Sequence, residues 1–417
     1  MNDLIVFNPL YKNKDIAECF ALYTEVVDGK LENSSKFVSL LIKLAEKYNL
    51  YDNLFNSLLT YLLINNENSF TLALERKKTI AANLKEIVMN DFKIIFKMFN
   101  TDFSVLPLAQ QNLITGFTPS KPVINIELFE VSKTLQDNLT ACNDVESFYN
   151  VLENFFLTYG VGKFGLNKAF RYENEQISPI IHIGNGRLDQ LIGYESQKEK
   201  LTQNTEAFLA GKKANNVLLY GDSGTGKSSS IKALLNEYYK HGLRMIEVYK
   251  HQFKDLNDVI AQIKNRNYKF ILYMDDLSFE EFEIEYKYLK AVIEGGLEKK
   301  PDNVLIYATS NRRNLVRERA TDKLEIADDN DLHSSDTVQE KLSLVYRFGV
   351  RIYFGKPDKK QFQEIVRTLA ARYGVTMPEE ELLLKANQWE ISHGGLTGRA
   401  AQQFIDYIVG TEEEKKK

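Results

Sequence analysis

Apolar residues recur at helical spacing through most of the first 159 residues. In one segment the steps between successive apolar positions are three, one, three and one, which places them on one face of a helix. These positions are Phe37, Leu40, Leu41, Leu44 and Ala45. The same spacing predicts helices over residues 15–29, 35–49, 51–66, 69–100, 125–139 and 144–159.

The chain between the fourth and fifth of these helices has a different composition. Residues 101–123 contain three prolines and Gly116, which favour a loop. Asn143 is predicted to cap the last helix, because Glu146 follows it three residues later, as in a helix start signal. Residues 1–159 are therefore predicted to form an α-helical domain. Its leucine, phenylalanine and tyrosine positions indicate core packing and no site chemistry.

Glycine becomes common only beyond residue 159. Residues 160–165 match the pattern Gly-x-Gly-x-x-Gly of dinucleotide-binding loops. That pattern binds a pyrophosphate when it follows a strand and opens a helix, whereas here a predicted helix precedes it. We therefore expect residues 160–190 to form a linker with flexible glycines, and no nucleotide site.

From residue 216 onward, short apolar runs alternate with segments of helical spacing. Strands are predicted over residues 216–220, 244–249, 269–275, 303–309 and 351–354, and further helices over 359–373, 379–389 and 396–408. Strands that are apolar throughout, such as the run at 270–272, suit a parallel sheet covered by helices on both faces. The predicted fold class is therefore α/β, with a core over residues 191–356 and a helical region over 357–417, after the all-α N-terminal domain.

The composition agrees with this division and excludes several kinds of protein. The 417 residues include 22 glycines and 8 prolines, and only two glycines precede residue 160. A net charge of −4 gives no general attraction to nucleic acid or to an anionic membrane. Cys19 and Cys142 are too few for a disulfide framework. No apolar run is long enough to span a membrane and no signal-peptide pattern is present, so a cytoplasmic protein is expected.

One glycine-rich segment fits a phosphate-binding loop in both its residues and its context. It reads Gly221, Asp222, Ser223, Gly224, Thr225, Gly226, Lys227 and Ser228, the pattern Gly-x-x-x-x-Gly-Lys-Ser/Thr. In such a loop, glycines let backbone N–H groups face phosphate oxygens, Lys227 reaches the β and γ phosphates, and Ser228 holds Mg²⁺. A predicted strand precedes the segment and a predicted helix over 228–239 follows it, as this mechanism requires. The alternative is a glycine-rich turn that binds nothing.

Two acids end the apolar strand predicted over residues 269–275. At the carboxyl end of a parallel strand, Asp275 would hold the metal through its waters, and Asp276 would polarise an attacking water. Glu280 and Glu281 are alternative acids, although acids there also suit the first turn of a helix. Because an aspartate after a strand is often only a helix cap, the assignment depends on the phosphate loop upstream.

The next predicted strand ends in small polar residues and an asparagine. Asn311 would hydrogen-bond the attacking water or the γ-phosphate, although taken alone it is more simply a turn-forming residue. Arg312 and Arg313 follow directly, either as partner contacts or as solvated charges. The acid-rich residues 318–336 are predicted to form a mobile loop and no metal site.

Together these segments resemble the AAA+ ATPases. The resemblance makes residues 221–228 the Walker A motif, residues 270–276 the Walker B motif and Asn311 the sensor 1 residue. The segment before Walker A is similar to the one that packs on adenine. The resemblance therefore implies that Ile192 and Gly193 contact the base.

Two arginines also match motifs of this superfamily. Residues 340–349 resemble the segment that bears the arginine finger, which makes Arg347 the candidate finger. Residues 394–399 open the last predicted helix and are similar to the sensor 2 motif. The resemblance thus implies that Arg399 reaches the γ-phosphate from a helical lid.

More narrowly, the chain is similar to an uncharacterised prokaryotic family of predicted AAA+ ATP-binding proteins. The similarity is carried by residues 216–230, 275–280, 308–315 and 341–349. The AAA+ resemblance extends over about residues 160–410, whereas the helical domain 1–159 matches only loosely.

Two departures from the AAA+ pattern bear on function. Members of the superfamily usually carry glutamate where Asp276 stands, and aspartate is one methylene shorter. No aromatic-hydrophobic-glycine pore loop follows the second core strand. Residues 251–254 are the only stand-in for one, although they are more simply a solvated loop. Both departures favour slow hydrolysis or a binding role.

The resemblance implies an Mg·ATP-dependent ATPase that couples nucleotide state to the remodelling or loading of a partner. It implies ATP, ADP and Mg²⁺ as ligands, and a homo-oligomer because the family's arginine finger acts on a neighbouring subunit. The alternative is a nucleotide-gated binding module that hydrolyses slowly. A DNA-associated loader is weaker, because no helix-turn-helix signature or basic patch supports nucleic-acid binding. No recognisable motif identifies the protein client.

Overall fold

The computed structural model describes residues 4–8, 13–120, 125–279, 283–295, 300–311 and 344–414. Contacts between Cα atoms divide the chain into two compact units, Met1–Asn167 and Lys168–Lys417. Within the described part of the chain, no helix is both long and apolar enough to pass through a bilayer.

The described regular structure of the N-terminal unit is entirely helical. Its helices are α1 (Lys14–Val27), α2 (Ser34–Tyr48), α3 (Leu54–Asn65), α4 (Ser69–Glu75), α5 (Ala82–Phe99), α6 (Leu108–Gly116), α7 (Ile126–Thr140), α8 (Val145–Tyr159) and α9 (Gly162–Leu166). Their apolar faces meet in a core rich in aromatic rings. There Tyr23 stacks on Phe55 with ring centroids 4.6 Å apart, and Phe70 meets Phe92 edge-on at 5.9 Å.

Three details of this unit differ from the predictions. The fourth predicted helix is two helices, α4 and α5, because the chain turns at Lys77, whose φ of 53° is left-handed. The predicted loop contains α6, which starts directly after Pro107, where a missing N–H costs no hydrogen bond. The cap of α8 is Asp144 and not Asn143, because the Asp144 carboxylate accepts the Ser147 N–H at 2.7 Å.

A buried carboxylate holds the first described residues against the helices. Asp91 on α5 is fully buried. It accepts backbone N–H groups from Ile5 at 3.0 Å, Val6 at 2.8 Å and Phe7 at 2.9 Å. Because a buried charge is costly unless it is hydrogen-bonded, these three bonds explain both the buried aspartate and the docking of the segment.

The second unit is built on a largely parallel sheet. Its described strands are β1 (Ala169–Glu173), β2 (Gln176–Pro179), β3 (Val217–Gly221), β4 (Leu243–Glu247), β5 (Lys269–Met274), β6 (Val304–Ser310) and β7 (Val350–Phe354). In space they follow the order β2-β1-β4-β5-β6-β3-β7, and only the β1–β2 pair is antiparallel. Strand β5 is buried along both faces except at Lys269, as expected for a sheet covered by helices.

Helices accompany this sheet and also form a bundle after it. They are α10 (Glu195–Leu209), α11 (Lys227–Tyr238), α12 (Leu256–Ile263), α13 (Glu285–Glu294), α14 (Lys359–Arg372), α15 (Glu379–Ser392) and α16 (Gly398–Glu414). The last three share a core of their own, in which Phe362, Val366 and Ile405 are fully buried. The predicted α/β class, with an all-α N-terminal region and a C-terminal helical region, is confirmed.

The linker predicted over residues 160–190 contains regular structure instead. Strands β1 and β2 form a hairpin, and Ala169 of β1 pairs in parallel with Met245 of β4, so the hairpin extends the sheet. Its two turn residues, Asn174 and Glu175, have φ values of 50° and 61°. Positive φ at both positions is the geometry of a tight hairpin turn, which asparagine tolerates well.

The glycines at 160–165 serve chain packing. Helix α8 precedes them, whereas a dinucleotide-binding loop follows a strand. The pattern therefore lacks the context that it requires, as predicted. Gly160 ends α8 with a φ of 79°. A Cβ on Gly165 would lie 2.8 Å from the Tyr159 carbonyl oxygen, so glycine is needed for this close turn.

Candidate nucleotide-binding site

The phosphate loop joins β3 to α11 and depends on glycine at three positions. Gly221, Gly224 and Gly226 have φ values of 130°, 75° and 93°, which L side chains rarely adopt. A Cβ on Gly221 would also overlap the carbonyl oxygen of Phe354 on β7. The glycines therefore give the loop its path, in which N–H groups can face an anion.

Replacing Gly221 with alanine is expected to destabilise the protein more than the same change at Gly242. Both glycines have positive φ, but a Cβ on Gly242 would meet nothing within 4 Å. The clash with Phe354 should add about 1–3 kcal/mol to the loss in free energy of unfolding. Urea unfolding of the two variants side by side measures this difference. Equal losses would show that the end of β7 moves aside at no cost.

Lys227 is the buried cation of the loop. It is 6% exposed, and its Nζ donates to the carbonyl oxygens of Gly221 at 2.9 Å and Asp222 at 2.6 Å. A third bond, of 3.0 Å, reaches Oδ1 of Asn311. Burial lowers the pKa of Lys227, while the charges of the nearby aspartates act in the opposite direction. The structure thus brings the predicted lysine and the predicted asparagine into direct contact.

The two predicted metal ligands also meet. The Ser228 hydroxyl donates to Oδ1 of Asp275 at 2.7 Å. Thr309, which the sequence analysis did not single out, donates to the same oxygen at 2.6 Å. Asp275 is exposed toward the cavity. Partial desolvation tends to raise its pKa, but the bonds from Thr309 and Ser228 outweigh this and hold the pKa below its usual value.

Asp276 and Asn311 form the other half of the polar cluster. The Asn311 side-chain amide donates to Oδ1 of Asp276 at 2.7 Å. Asp276 has a left-handed φ of 50°, and its N–H donates to the Thr309 hydroxyl at 2.9 Å. Asn311 therefore links the Lys227 ammonium to the Asp276 carboxylate, and Thr309 fixes both aspartates.

These residues line a cavity of about 630 Å³ between the end of the sheet and the C-terminal helices. Ser223 and Thr225 line it as well, whereas Asp222 accepts the Lys356 N–H at 3.0 Å. Of the two residues expected at the base, Ile192 lines the cavity and packs on the core of α14–α16. Gly193 does not belong to the lining residues.

The helical bundle touches the phosphate loop through Arg399. Its N–H donates to the Gly224 carbonyl oxygen at 3.2 Å, and its side chain lines the cavity. A Cβ on Gly224 would lie 3.1 Å from the Cβ of Arg399, so this contact again requires glycine. The predicted sensor 2 residue and the predicted Walker A loop are therefore neighbours.

Two cations at the cavity were missed by the sequence analysis. Arg372 on α14 donates from both terminal nitrogens to the Gln190 carbonyl oxygen at 3.3 Å. Lys198 on α10 donates to the Leu191 carbonyl oxygen at 2.8 Å. Both lie in ordinary helical patterns, so no motif could have identified them.

Arg347 lies elsewhere. Its Nη2 is 2.9 Å from Oε1 of Glu294 at the end of α13, and its side chain is 50% exposed. Arg347 does not line the cavity that holds Lys227. The structure therefore separates the predicted arginine finger from the other predicted site residues of the same chain.

Residues 251–254, the stand-in for a pore loop, form neither a pore loop nor a fully solvated loop. Residues 251–254 lie within a 3₁₀ helix. Phe253 is 1% exposed and packs on Phe279, and the Gln252 side chain donates to the Tyr172 carbonyl oxygen at 2.6 Å. The buried ring of Phe253 is not accessible for contact with a protein client. The segments containing Glu280, Glu281, Arg312, Arg313 and residues 318–336 lie outside the described residues.

The oxygen donors at Ser228 and Asp275 fit Mg²⁺. Both are hard ligands, and one ion can reach them together because they are 2.7 Å apart. Among the described residues, no cluster of three or more His, Cys, Asp or Glu side chains is arranged to hold a metal. Such a sparse site suits Mg²⁺, which keeps several waters and takes its remaining oxygens from phosphates.

The sheet and the site together define a P-loop protein of the AAA+ type. A parallel sheet carries the phosphate loop on an inner strand, and the helical bundle that follows contacts that loop. The chain belongs to the family described as "Protein of unknown function (DUF815)", whose model matches residues 166–412. The expected membership of an uncharacterised AAA+ family is confirmed. No curated protein matches the chain.

Several solved structures are similar to the chain at low identity. The Holliday junction branch migration motor RuvB of Thermotoga maritima is 16% identical with a TM-score of 0.37, over 53% of this chain and 63% of that one. One point mutant of that motor is 14% identical with a TM-score of 0.38, over 56% and 67%. Another point mutant is 16% identical with a TM-score of 0.36, over 53% and 63%. In two of the three matches the chain spans less than two thirds of the motor's length.

Proposed function

We propose that this protein binds and hydrolyses Mg·ATP and couples the nucleotide state to the remodelling or loading of a partner. The observation that carries the proposal is the continuous polar cluster at the phosphate loop. In it, Lys227, Asn311 and Asp276 are joined by hydrogen bonds of 3.0 and 2.7 Å, beside the Ser228–Asp275 pair. Such a cluster combines a phosphate cation, a metal ligand pair and a group that can orient water.

Each residue then has a distinct task. Lys227 exchanges its carbonyl and amide partners for phosphate oxygens, and the loop N–H groups bind the same phosphates. When bound, Mg²⁺ neutralises negative charge on the phosphates. Asp276 accepts a hydrogen bond from the attacking water and Asn311 holds that carboxylate in place. Arg399 meets the phosphates from the helical bundle, so hydrolysis can move the bundle relative to the sheet.

A homo-oligomer is part of the proposal. Arg347 is half-exposed and remote from the cavity, which supports its acting on the nucleotide of a neighbouring copy. An unidentified protein client and a cytoplasmic location are further expectations.

The direct test is turnover of Mg·ATP by the purified chain over a range of protein concentrations. We expect phosphate release that requires Mg²⁺. Its rate per protomer should rise with protein concentration to a plateau, because each site needs the arginine of a neighbouring copy. Turnover that never exceeds that of a Lys227→Ala variant at any concentration would refute the enzyme proposal.

A second candidate function, a nucleotide-gated switch with slow hydrolysis, is favoured by the aspartate at position 276. Its side chain is one methylene shorter than glutamate and is already bound to Asn311 at 2.7 Å. Asp276→Glu is therefore expected to raise turnover roughly 3–10-fold, because the carboxylate reaches farther toward the attacking water. Single-turnover measurements give the rate of the hydrolysis step, and ATP affinity is measured as the control. Together they separate faster hydrolysis from tighter ATP binding. Unchanged turnover would remove the support for slow hydrolysis.

A further inference from the structure

The cavity at the phosphate loop also has an apolar wall. Three of its lining side chains are Ile192, before α10, and Ile365 and Leu369 on α14. Ile192 packs on the core to which the other two belong, so the three side chains form part of one apolar surface. Such a surface suits the faces of a flat base, whereas phosphate oxygens require the N–H groups and the Lys227 ammonium of the loop. The apolar wall is therefore where the base of a bound nucleotide fits.

A short segment joins the apolar wall to the sheet. Residues 190–192, here called the bridging segment, all line the cavity. Leu191 packs on the apolar core of the sheet, whereas Ile192 packs on the core of α14–α16. Because the two cores meet at adjacent residues, the position of the bridging segment sets where the apolar wall lies relative to the phosphate loop.

Cations from both sides hold the main chain of the bridging segment. Lys198 on α10 donates to the Leu191 carbonyl oxygen at 2.8 Å. Arg372 on α14 donates from Nη1 and Nη2 to the Gln190 carbonyl oxygen, both at 3.3 Å. Arg372 follows Leu369 by three residues, and both line the cavity from one face of the helix. Because charge-assisted hydrogen bonds are stronger than neutral ones, this guanidinium fixes α14 against the bridging segment.

We propose that Arg372 is a positioning residue for the base of ATP, which acts through the Gln190 carbonyl to hold the bridging segment and α14 at the spacing that the base requires. The inference rests on the proposed function, because it requires a nucleotide in this cavity. The described hydrogen bonds of Arg372 go to Gln190, whereas the phosphates bind at residues 221–228. A ligand that has the phosphates but lacks the base should therefore be insensitive to this arginine.

The test is Arg372→Met, which keeps a long unbranched side chain but cannot donate. Calorimetric titration in Mg²⁺ measures the affinities for ATP and for inorganic tripolyphosphate, which lacks the nucleoside. We expect the affinity for ATP to fall about 10-fold, while the affinity for tripolyphosphate stays unchanged, because one charge-assisted contact is lost at the base end alone. Arg372→Lys retains a charged donor and should recover part of the ATP affinity.

Arg367→Met is the matched control on the same helix. Arg367 pairs with Glu379 at 2.7 Å and with Glu364 at 3.4 Å, and it does not line the cavity. This variant should bind both ligands like the wild type.

The two ligands also separate the inference from the proposed function. A variant that only loosened the helical bundle would weaken both ligands, because Arg399 reaches the cavity from the same bundle. If Arg372→Met weakens both equally, or weakens neither, the inference is overturned while the proposed function stands. The same holds if the wild type binds ATP no more tightly than tripolyphosphate, since the base then adds nothing. If the wild type binds neither ligand, both are overturned.

Discussion

Replacing Lys227 with alanine should abolish Mg·ATP turnover and weaken ATP binding by ~100-fold or more, since each charge-assisted hydrogen bond contributes about 1.5–3 kcal/mol. Lys227 is the buried cation at the base of the phosphate loop and already makes three hydrogen bonds there. Fluorescence titration with a labelled ATP analogue measures the affinity, and phosphate release measures turnover. The effect is large because Lys227 is the lysine of the phosphate loop among the described residues that line the cavity.

The control for this variant removes the same charge elsewhere. Lys240 is exposed just beyond the end of α11 and does not line the cavity. Lys240→Ala should bind and hydrolyse ATP like the wild type. A Lys227→Ala protein that remains folded, as judged by its unfolding midpoint, yet turns over ATP normally would rule out the phosphate loop as the active site.

Replacing Arg347 with alanine should lower kcat by about 10³-fold or more and leave ATP affinity nearly unchanged, because an arginine finger acts on transition-state charge. Arg347 does not line the cavity of its own chain and is paired with Glu294 at 2.9 Å. Its removal therefore leaves the Lys227 pocket intact. Steady-state kinetics together with equilibrium ATP binding separate the two effects.

A mixing experiment tests whether this arginine acts between subunits. Lys227→Ala protein has no working pocket but retains Arg347, whereas Arg347→Ala protein has the pocket and lacks the finger. If the finger acts on a neighbour, mixing the two inactive proteins should restore part of the activity. Loss of ATP binding in Arg347→Ala, or no recovery of activity on mixing, would show that Arg347 acts within its own chain and not on a neighbouring subunit. The double variant with Glu294→Gln controls for the carboxylate left unpaired.

The phosphate loop could be predicted from sequence because its chemistry requires particular residues at adjacent positions. Gly221, Gly224 and Gly226 all take positive φ in the structure, which is why glycine stands there. The strands were predictable for a similar reason, since a strand such as β5, buried on both faces, needs a continuous apolar run. In both cases the physical requirement lies within a few consecutive residues.

Local patterns were less informative where several residue types satisfy the same geometry. Asn143 and Asp144 are both good caps, and only the backbone geometry places the Asp144 carboxylate on the Ser147 N–H. The glycines near residue 160 predict a linker, whereas the structure has the β1–β2 hairpin there, and its turn residues, Asn174 and Glu175, include no glycine that would signal a hairpin. These errors concern short segments in which tertiary pairing outweighs local preference.

The sequence by itself determined the α/β class, the phosphate loop and the strand ends that carry Asp275 and Asn311. Only the tertiary structure decided which side chains touch. It brought Ser228 to Asp275 across 47 residues of chain and added Thr309 to the same oxygen. It also paired Arg347 with Glu294. Motifs record local backbone requirements, whereas contacts between distant strands depend on sheet order and register, which no single segment encodes.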